Sequence, residues 1–121
     1  MSKRILIVDD DPTWPSLTSR WIKREFPDTE IVVETNPKSA VLRLREHWDL
    51  VLSDVEMPHM NGFDFLARVR EAHPQVLLAM MSGADRYQND PRLNTLGVKM
   101  FWSKAASYES VFLGKLRKLL D

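Results

Sequence analysis

The chain alternates short apolar runs with longer segments that carry apolar residues at helical spacing, and it does so five times. Apolar runs of this length are typical of buried strands, and stripes at three- and four-residue spacing predict amphipathic helices. The predicted strands are residues 5–8, 30–35, 50–53, 76–81 and 98–102. The predicted helices are residues 13–26, 37–47, 62–73, 85–96 and 108–120, and Pro91 interrupts the fourth.

Strands that alternate with helices favour parallel strand-helix-strand units with right-handed crossovers. Five such units predict an α/β fold with a doubly wound (βα)5, flavodoxin-like architecture and a five-stranded parallel sheet. With 121 residues and no internal repeat or linker, we expect one domain over residues 1–121.

The composition excludes several classes of protein. The 17 basic residues equal the 17 acidic ones, which argues against a nucleic-acid surface. The absence of cysteine excludes disulfides and thiolate metal sites. No apolar stretch approaches the length of a membrane span, and the first strand begins too early to leave room for a signal peptide. We therefore expect a soluble, cytoplasmic protein.

Charged residues follow three of the predicted strands. Asp9, Asp10 and Asp11 follow the first strand, Asp54 follows the third and Lys104 follows the fifth. In a parallel sheet these residues share one edge, which is where such sheets bind ligands. Carboxylates about 4 Å apart repel by roughly 4 kcal/mol per pair at an effective dielectric constant of about 20. The cluster therefore predicts a hard divalent cation.

Four motifs at these strand ends together resemble the receiver domain of two-component response regulators. Residues 54–62 (DVEMPHMNG) have an aspartate, Met-Pro and then glycine at that family's spacing. The opening ILIVDDD, the segment MSGA at residues 81–84 and the ending FWSK at residues 101–104 follow in that family's order. The resemblance extends from Ile5 to Leu120.

The resemblance implies a site for Mg²⁺ and a phosphoryl group. Asp54 is expected to be the phosphoacceptor nucleophile, and a simple loop cap is its alternative role. Asp9 and Asp10 are expected to bind Mg²⁺ together with Asp54 and the backbone carbonyl of Glu56. Asp11, which directly precedes Pro12, is instead expected to cap the following helix.

The same resemblance assigns roles to three further residues. Ser82 is expected to hydrogen-bond a phosphoryl oxygen, with a turn serine as its alternative. Lys104 is expected to pair with the phosphoryl group, with an ordinary surface lysine as its alternative. Phe101 occupies the position of an aromatic switch residue. It is expected to move when Ser82 does, and core packing is compatible with that role.

Three residues depart from the family pattern or stand close to the site. Ala105 follows the lysine where the family usually has proline, often with a cis bond. Glu56 is acidic two residues after the phosphoacceptor, and Trp14 is bulky where the first loop meets the site. We hypothesise that Trp14 and Glu56 affect phosphoryl lifetime. The other tryptophans are expected in the core, and His47, His59 and His73 on the surface.

The resemblance implies a phosphorylation switch that catalyses its own phosphorylation and dephosphorylation and is not otherwise an enzyme. A histidine kinase or a phosphotransfer protein would donate, and an output protein or output domain would respond. The domain would be a monomer or a phosphorylation-dependent dimer, without nucleic-acid or membrane contact. Two alternatives stay open: a degenerate receiver that binds partners without phosphorylation, and an aspartate-based phosphatase of the haloacid dehalogenase type, which Asp9-Asp10-Asp11 imitates.

Overall fold

Five parallel strands form one sheet in the computed structural model, which describes residues 2–106 and 108–121. The strand order is β2-β1-β3-β4-β5, so the chain winds outward from β1 in both directions. This is the predicted doubly wound, flavodoxin-like arrangement. The strands are β1 (Arg4–Val8), β2 (Glu30–Glu34), β3 (Leu50–Asp54), β4 (Leu77–Ser82) and β5 (Val98–Ser103).

The three central strands are buried on both faces, as their almost continuous apolar sequences predict. Ile5 of β1 lies beside Leu50 of β3, and Leu50 in turn lies beside Leu77 of β4. This register brings the carboxyl ends of β1, β3 and β4 to the same edge of the sheet.

Helices cover both faces of the sheet and complete two separate cores. One core packs α1 and α5 against alternate strand residues such as Ile7 and Leu52. The other packs α2, α3 and α4 against the residues between them, such as Leu6 and Val51. The helices are α1 (Thr13–Glu25), α2 (Pro37–Leu42), α3 (Gly62–Ala72), α4 (Pro91–Leu96) and α5 (Glu109–Leu120).

Two helices are shorter than the sequence pattern predicts. The predicted helix 37–47 ends at Leu42, and a 3₁₀ turn over Arg43–Arg45 replaces its last part. The backbone changes course there because the Trp48 indole donates a hydrogen bond to the carbonyl of Arg43 at 2.8 Å.

The predicted helix 85–96 is divided in two. A 3₁₀ turn over Asp85–Tyr87 precedes α4, which begins at Pro91 because proline suits the first helical position. The Asp90 side chain caps this start by accepting from the backbone N–H of Arg92. Gly97, at φ 73°, ends α4 in the left-handed conformation that glycine adopts without strain.

The predicted positions of the three tryptophans are confirmed, and one of the three histidines is less exposed than the others. Trp21, Trp48 and Trp102 are buried in the cores. His47 and His59 are exposed as expected. His73 is half-buried: its ring lies 2.7 Å from the carbonyl oxygen of Leu44 and so joins the end of α3 to the 3₁₀ turn after α2. Within the described residues, no helix has the length and apolar character needed to cross a bilayer.

Candidate functional site

Strand ends place three charged side chains together at the carboxyl edge of the sheet. Asp9 directly follows β1, Asp54 is the last residue of β3, and Lys104 directly follows β5. Val8 lies beside Ser53 in the sheet, so Asp9 and Asp54 are at equivalent levels of neighbouring strands. The sheet register therefore brings together the residues that the sequence predicted to meet.

Lys104 bridges the two buried carboxylates. Its Nζ lies 2.7 Å from Asp9 Oδ2 and 3.1 Å from Asp54 Oδ1. The Lys104 side chain is 9% exposed, and those of Asp9 and Asp54 are 0% and 7% exposed. A buried ammonium with two carboxylate partners is not the exposed surface lysine of the alternative interpretation.

Asp10 completes a group of three carboxylates with Asp9 and Asp54. One oxygen from each lies within 4.8 Å of the others. Asp10 is exposed while the other two are buried, so the group opens to solvent on the side of Asp10.

This group fits a hard divalent cation. Asp9 Oδ2 is buried and accepts no hydrogen bond of good geometry from the described residues, although the Lys104 ammonium lies beside it. All three groups offer oxygen, and the open side leaves space for water ligands. Both features suit Mg²⁺, which prefers oxygen ligands and keeps several waters.

The pKa values reflect a site with more negative than positive charge. Burial and, next in size, the neighbouring charge of Asp9 together raise the pKa of Asp54 to about 6, although Lys104 acts in the opposite direction. Burial likewise raises the pKa of Asp9, against the opposing effects of the Lys104 ammonium and of the hydrogen bond from the Asp11 backbone N–H. Burial lowers the pKa of Lys104, but both carboxylates outweigh that effect and leave the pKa raised. Lys104 therefore stays charged at neutral pH, whereas Asp54 is close to its titration range.

Gly62 lets the start of α3 approach the end of β3. A Cβ at this position would lie 2.0 Å from the backbone oxygen of Asp54, which no side chain can do. Its backbone N–H donates to the carbonyl of Val55 at 2.7 Å and closes the loop after β3. The glycine eight residues after Asp54 is thus required by the close contact between this loop and the site.

Ser82 lies at the end of β4, one residue beyond Met81, the neighbour of Asp54 in the sheet. The side chain is buried, and its Oγ accepts a hydrogen bond from the backbone N–H of Ala84 at 3.0 Å. This is the contact expected of a turn serine. Its role toward a phosphoryl group stays a prediction.

The carboxylate of Glu56 is exposed and lies outside the acidic group. It pairs with Arg86 at 3.4 Å, and the Arg86 guanidinium also stacks on the Tyr87 ring at 4.7 Å. The predicted role of Glu56 as a metal ligand concerned its backbone carbonyl and stays a prediction. Asp11 Oδ1 accepts from the backbone N–H of Thr13, so it supports the start of α1 as expected.

Two contacts of the lysine loop were not found from the sequence. The Lys104 ammonium lies 5.2 Å from the centre of the Trp14 ring, whereas the sequence predicted only that Trp14 is bulky, lies near the site and affects phosphoryl lifetime. Ser103 Oγ donates to Asp85 Oδ1 at 2.7 Å and ties the loop after β4 to β5. Nothing in the local sequence signals either contact. The described residues contain no cis peptide bond, so the bond between Lys104 and Ala105 is trans.

Comparison with known proteins identifies relatives over almost the whole chain. A family model described as the response regulator receiver domain matches residues 5–112. The transcriptional regulatory protein FlgR of Helicobacter pylori is 33% identical over 101 residues, which are 84% of this chain and 26% of that protein. A protein-glutamate methylesterase/protein-glutamine glutaminase of Agrobacterium fabrum is 34% identical over 68% of this chain and 25% of that protein. The chain thus spans about a quarter of these two relatives.

Solved structures share the fold. A CheY-like receiver domain protein from Methanospirillum hungatei superimposes with a TM-score of 0.88 at 24% identity, covering 100% of this chain and 95% of that one. The response regulator TrrA of Thermotoga maritima, solved in complex with Mg²⁺ and BeF, gives a TM-score of 0.83 at 24% identity, covering 97% and 98%. At this identity the likeness establishes the architecture.

Proposed function

Because the chain belongs to the family of response regulator receiver domains, we propose that it accepts a phosphoryl group on Asp54 from a phosphohistidine donor, with the help of Mg²⁺. The observation that carries the proposal is the buried Lys104 ammonium between Asp9 and Asp54. This arrangement holds a cation beside one carboxylate oxygen of the proposed nucleophile, where the charge of a phosphoryl group would develop.

The transfer is a displacement at phosphorus. An Asp54 carboxylate oxygen attacks, the bond between phosphorus and the histidine nitrogen breaks, and the nitrogen keeps the electron pair. The product is an acyl phosphate on the protein. Positioning and charge stabilisation supply most of the catalysis in such transfers. Lys104 supplies positive charge at the site. Its ammonium lies between two buried carboxylates.

Asp9, Asp10 and Asp54, with the backbone carbonyl of Glu56, would hold Mg²⁺ in this proposal. When bound, the ion would neutralise charge on the phosphoryl oxygens. The exposed position of Asp10 supports the proposal, because it leaves the carboxylate group open to solvent and to a donor protein.

Ser82 and Phe101 are proposed to report the phosphorylated state. Ser82 would exchange its hydrogen bond with the Ala84 N–H for one with a phosphoryl oxygen. Phe101 is half-buried and packs against the core that contains α4, so its ring can respond to a shift of the loop after β4. The responding surface would then include α4, β5 and α5.

The proposal implies a histidine kinase or phosphotransfer protein as donor and an output protein or output domain as receiver of the signal. It treats residues 1–121 as one receiver domain in the cytoplasm, a monomer or a phosphorylation-dependent dimer. The domain would catalyse its own phosphorylation and dephosphorylation.

Acetyl phosphate with Mg²⁺, followed by intact mass measurement, tests the proposed phosphoacceptor. We expect one phosphoryl group on the wild type and none on Asp54→Asn. Asp64→Asn is the matched control, because Asp64 is an exposed aspartate in the first turn of α3. We expect this control to be phosphorylated like the wild type.

The alternatives give different results in the same experiment. Continuous release of phosphate from p-nitrophenyl phosphate, without retained label, would identify a phosphatase. A wild type that stays unlabelled with both acetyl phosphate and phosphoramidate would identify a degenerate receiver. Labelling of Asp54→Asn at the wild-type level would show that another residue is the acceptor.

A further inference from the structure

The Trp14 ring lies beside the Lys104 ammonium, which also contacts the carboxylates of Asp9 and Asp54. The Lys104 ammonium lies 5.2 Å from the centre of the Trp14 ring, within the range of a cation–π interaction. A lysine normally extends its ammonium into water. Here the whole side chain is only 9% exposed.

Trp14 is itself held in place by aromatic packing. Its ring meets that of Trp102 edge to face, with centres 5.9 Å apart and planes at 75°. Trp102 is fully buried and packs in the same way against Trp21 and Phe112. Thr18 Oγ1 also donates to the Trp14 carbonyl at 2.8 Å. The ring that faces Lys104 is therefore an extension of the core between α1 and α5.

Lys104 has little else to fix its side chain. It is the first residue of a single 3₁₀ turn after β5, and lysine reaches its partners through a flexible four-carbon stem. The carboxylates of Asp9 and Asp54 attract the ammonium, but they do not restrict the rotamers of the four side-chain carbons that carry it. A packed ring beside the ammonium removes the alternative positions that lead toward solvent.

We propose that Trp14 is a positioning residue that holds the Lys104 ammonium at the phosphoryl site through its indole face. The proposal rests on the proposed function, in which Lys104 pairs with the incoming phosphoryl group. Trp14 does not contact the reacting atoms. It acts by keeping the lysine in the reactive position before the donor arrives, so that the lysine needs no rearrangement during transfer.

Two variants, whose new side chains are similar to each other in volume, distinguish the effect of the aromatic face of Trp14 from the effect of its size. Trp14→Phe keeps an aromatic face, and Trp14→Leu replaces it with an aliphatic side chain. We expect the rate of phosphorylation by acetyl phosphate to fall about three- to tenfold in Trp14→Leu, which is the range of a lost cation–π interaction. We expect Trp14→Phe to stay within about twofold of the wild type.

Nuclear magnetic resonance gives a measurement that does not depend on activity. Protons next to the ammonium of a lysine over an indole face shift upfield through the ring current, so the Lys104 ε-methylene resonance should be displaced from that of exposed Lys115. The resonance is assigned by its loss in Lys104→Arg. We expect Trp14→Leu to abolish the displacement and Trp14→Phe to keep part of it.

A purely structural role for Trp14 would lower the thermal midpoint of both variants and slow both equally. Equal rates for Trp14→Leu and Trp14→Phe, or an undisplaced Lys104 resonance in the wild type, would overturn the proposal. If the wild type takes up no phosphoryl group, the proposed function fails, and the resonance still decides whether Trp14 holds Lys104.

Discussion

Replacing Asp54 with its uncharged counterpart, asparagine, should stabilise the metal-free protein at neutral pH. Burial and, next in size, the charge of Asp9 together raise the pKa of Asp54 from 3.8 to about 6, with Lys104 acting in the opposite direction. The folded protein therefore holds a proton on Asp54 more tightly than the unfolded chain does. In the absence of Mg²⁺, the ionised Asp54 carboxylate destabilises the folded protein, although the Lys104 ammonium offsets part of this cost.

The sign and the size follow from this pKa. Because an acid with a raised folded-state pKa is more favourable when protonated, its contribution to stability is complete below about pH 4 and is lost as the pH rises to about 6. A shift of about two pKa units corresponds to about 3 kcal/mol. Asp54→Asn cannot ionise, so at pH 7.5 it should be about 1–3 kcal/mol more stable than the wild type.

Urea unfolding in EDTA at pH 7.5 and at pH 4.5 measures the effect. The free energy of unfolding comes from the linear dependence on urea concentration, and the slopes of the two proteins should agree. We expect the advantage of Asp54→Asn to shrink at pH 4.5, where the wild-type carboxyl is largely protonated. Saturating Mg²⁺ at pH 7.5 should also narrow the gap, because the ion stabilises the folded state that binds it.

Asp28→Asn is the matched control, since Asp28 is an exposed aspartate in the turn before β2. This variant should change the free energy of unfolding by less than about 0.5 kcal/mol at either pH. An Asp54→Asn variant that is no more stable than the wild type at pH 7.5, or equally more stable at both values, would refute the argument that ionised Asp54 strains the site.

Three further predictions concern other parts of the site. Gly62→Ala should lower the free energy of unfolding, measured by urea titration, by at least about 3 kcal/mol, because its Cβ would meet the Asp54 backbone oxygen at 2.0 Å. Gly83→Ala, whose Cβ would have no atom within 4 Å, should change this free energy by less than about 0.5 kcal/mol. Equal losses in the two variants would contradict the steric explanation. Mg²⁺ should raise the thermal midpoint of the wild type, and Asp10→Asn should lose most of that rise. Because Asp10 is exposed, this variant should keep wild-type stability in EDTA. An unchanged rise in Asp10→Asn would show that Asp10 does not bind the ion. Lys104→Met should slow phosphorylation by acetyl phosphate about a hundredfold, because the buried cation is lost. Lys115→Met, at an exposed lysine, should leave the rate unchanged. Comparable rates for the two variants would exclude a special role for Lys104.

The central sheet was predictable because its signal is local. The strands that end at Val8, Asp54 and Ser82 are apolar over almost their full length, and such runs are typical of parallel strands covered on both faces. Once the strands are assigned as parallel, their carboxyl ends share an edge, so the meeting of Asp9, Asp54 and Lys104 follows from topology. The structure confirms both steps.

The remaining features depend on tertiary contacts that no local pattern encodes. The second helix stops at Leu42 because an indole from the following loop bonds the carbonyl of Arg43. His73 is drawn inward by the carbonyl of Leu44, which belongs to a different part of the chain. The contact of Trp14 with Lys104 joins residues 90 positions apart in the sequence. Helical periodicity describes one element at a time and cannot place such partners.

The charge balance of the site explains why the cation and the phosphoryl group should act together. Three carboxylates and one ammonium leave a formal charge of −2 at the carboxyl edge. Before transfer, the phosphoryl group of the donor brings roughly −1.5 to −2 to this edge, and the single ammonium of Lys104 is already shared between Asp9 and Asp54. At a mostly buried site this excess is much less screened by salt than it would be on the surface. A divalent cation would remove about half of it, so we expect phosphorylation to require Mg²⁺ rather than merely to be accelerated by it. Labelling of the wild type by acetyl phosphate in excess EDTA, at a rate close to that with Mg²⁺, would show that Lys104 alone balances the charge.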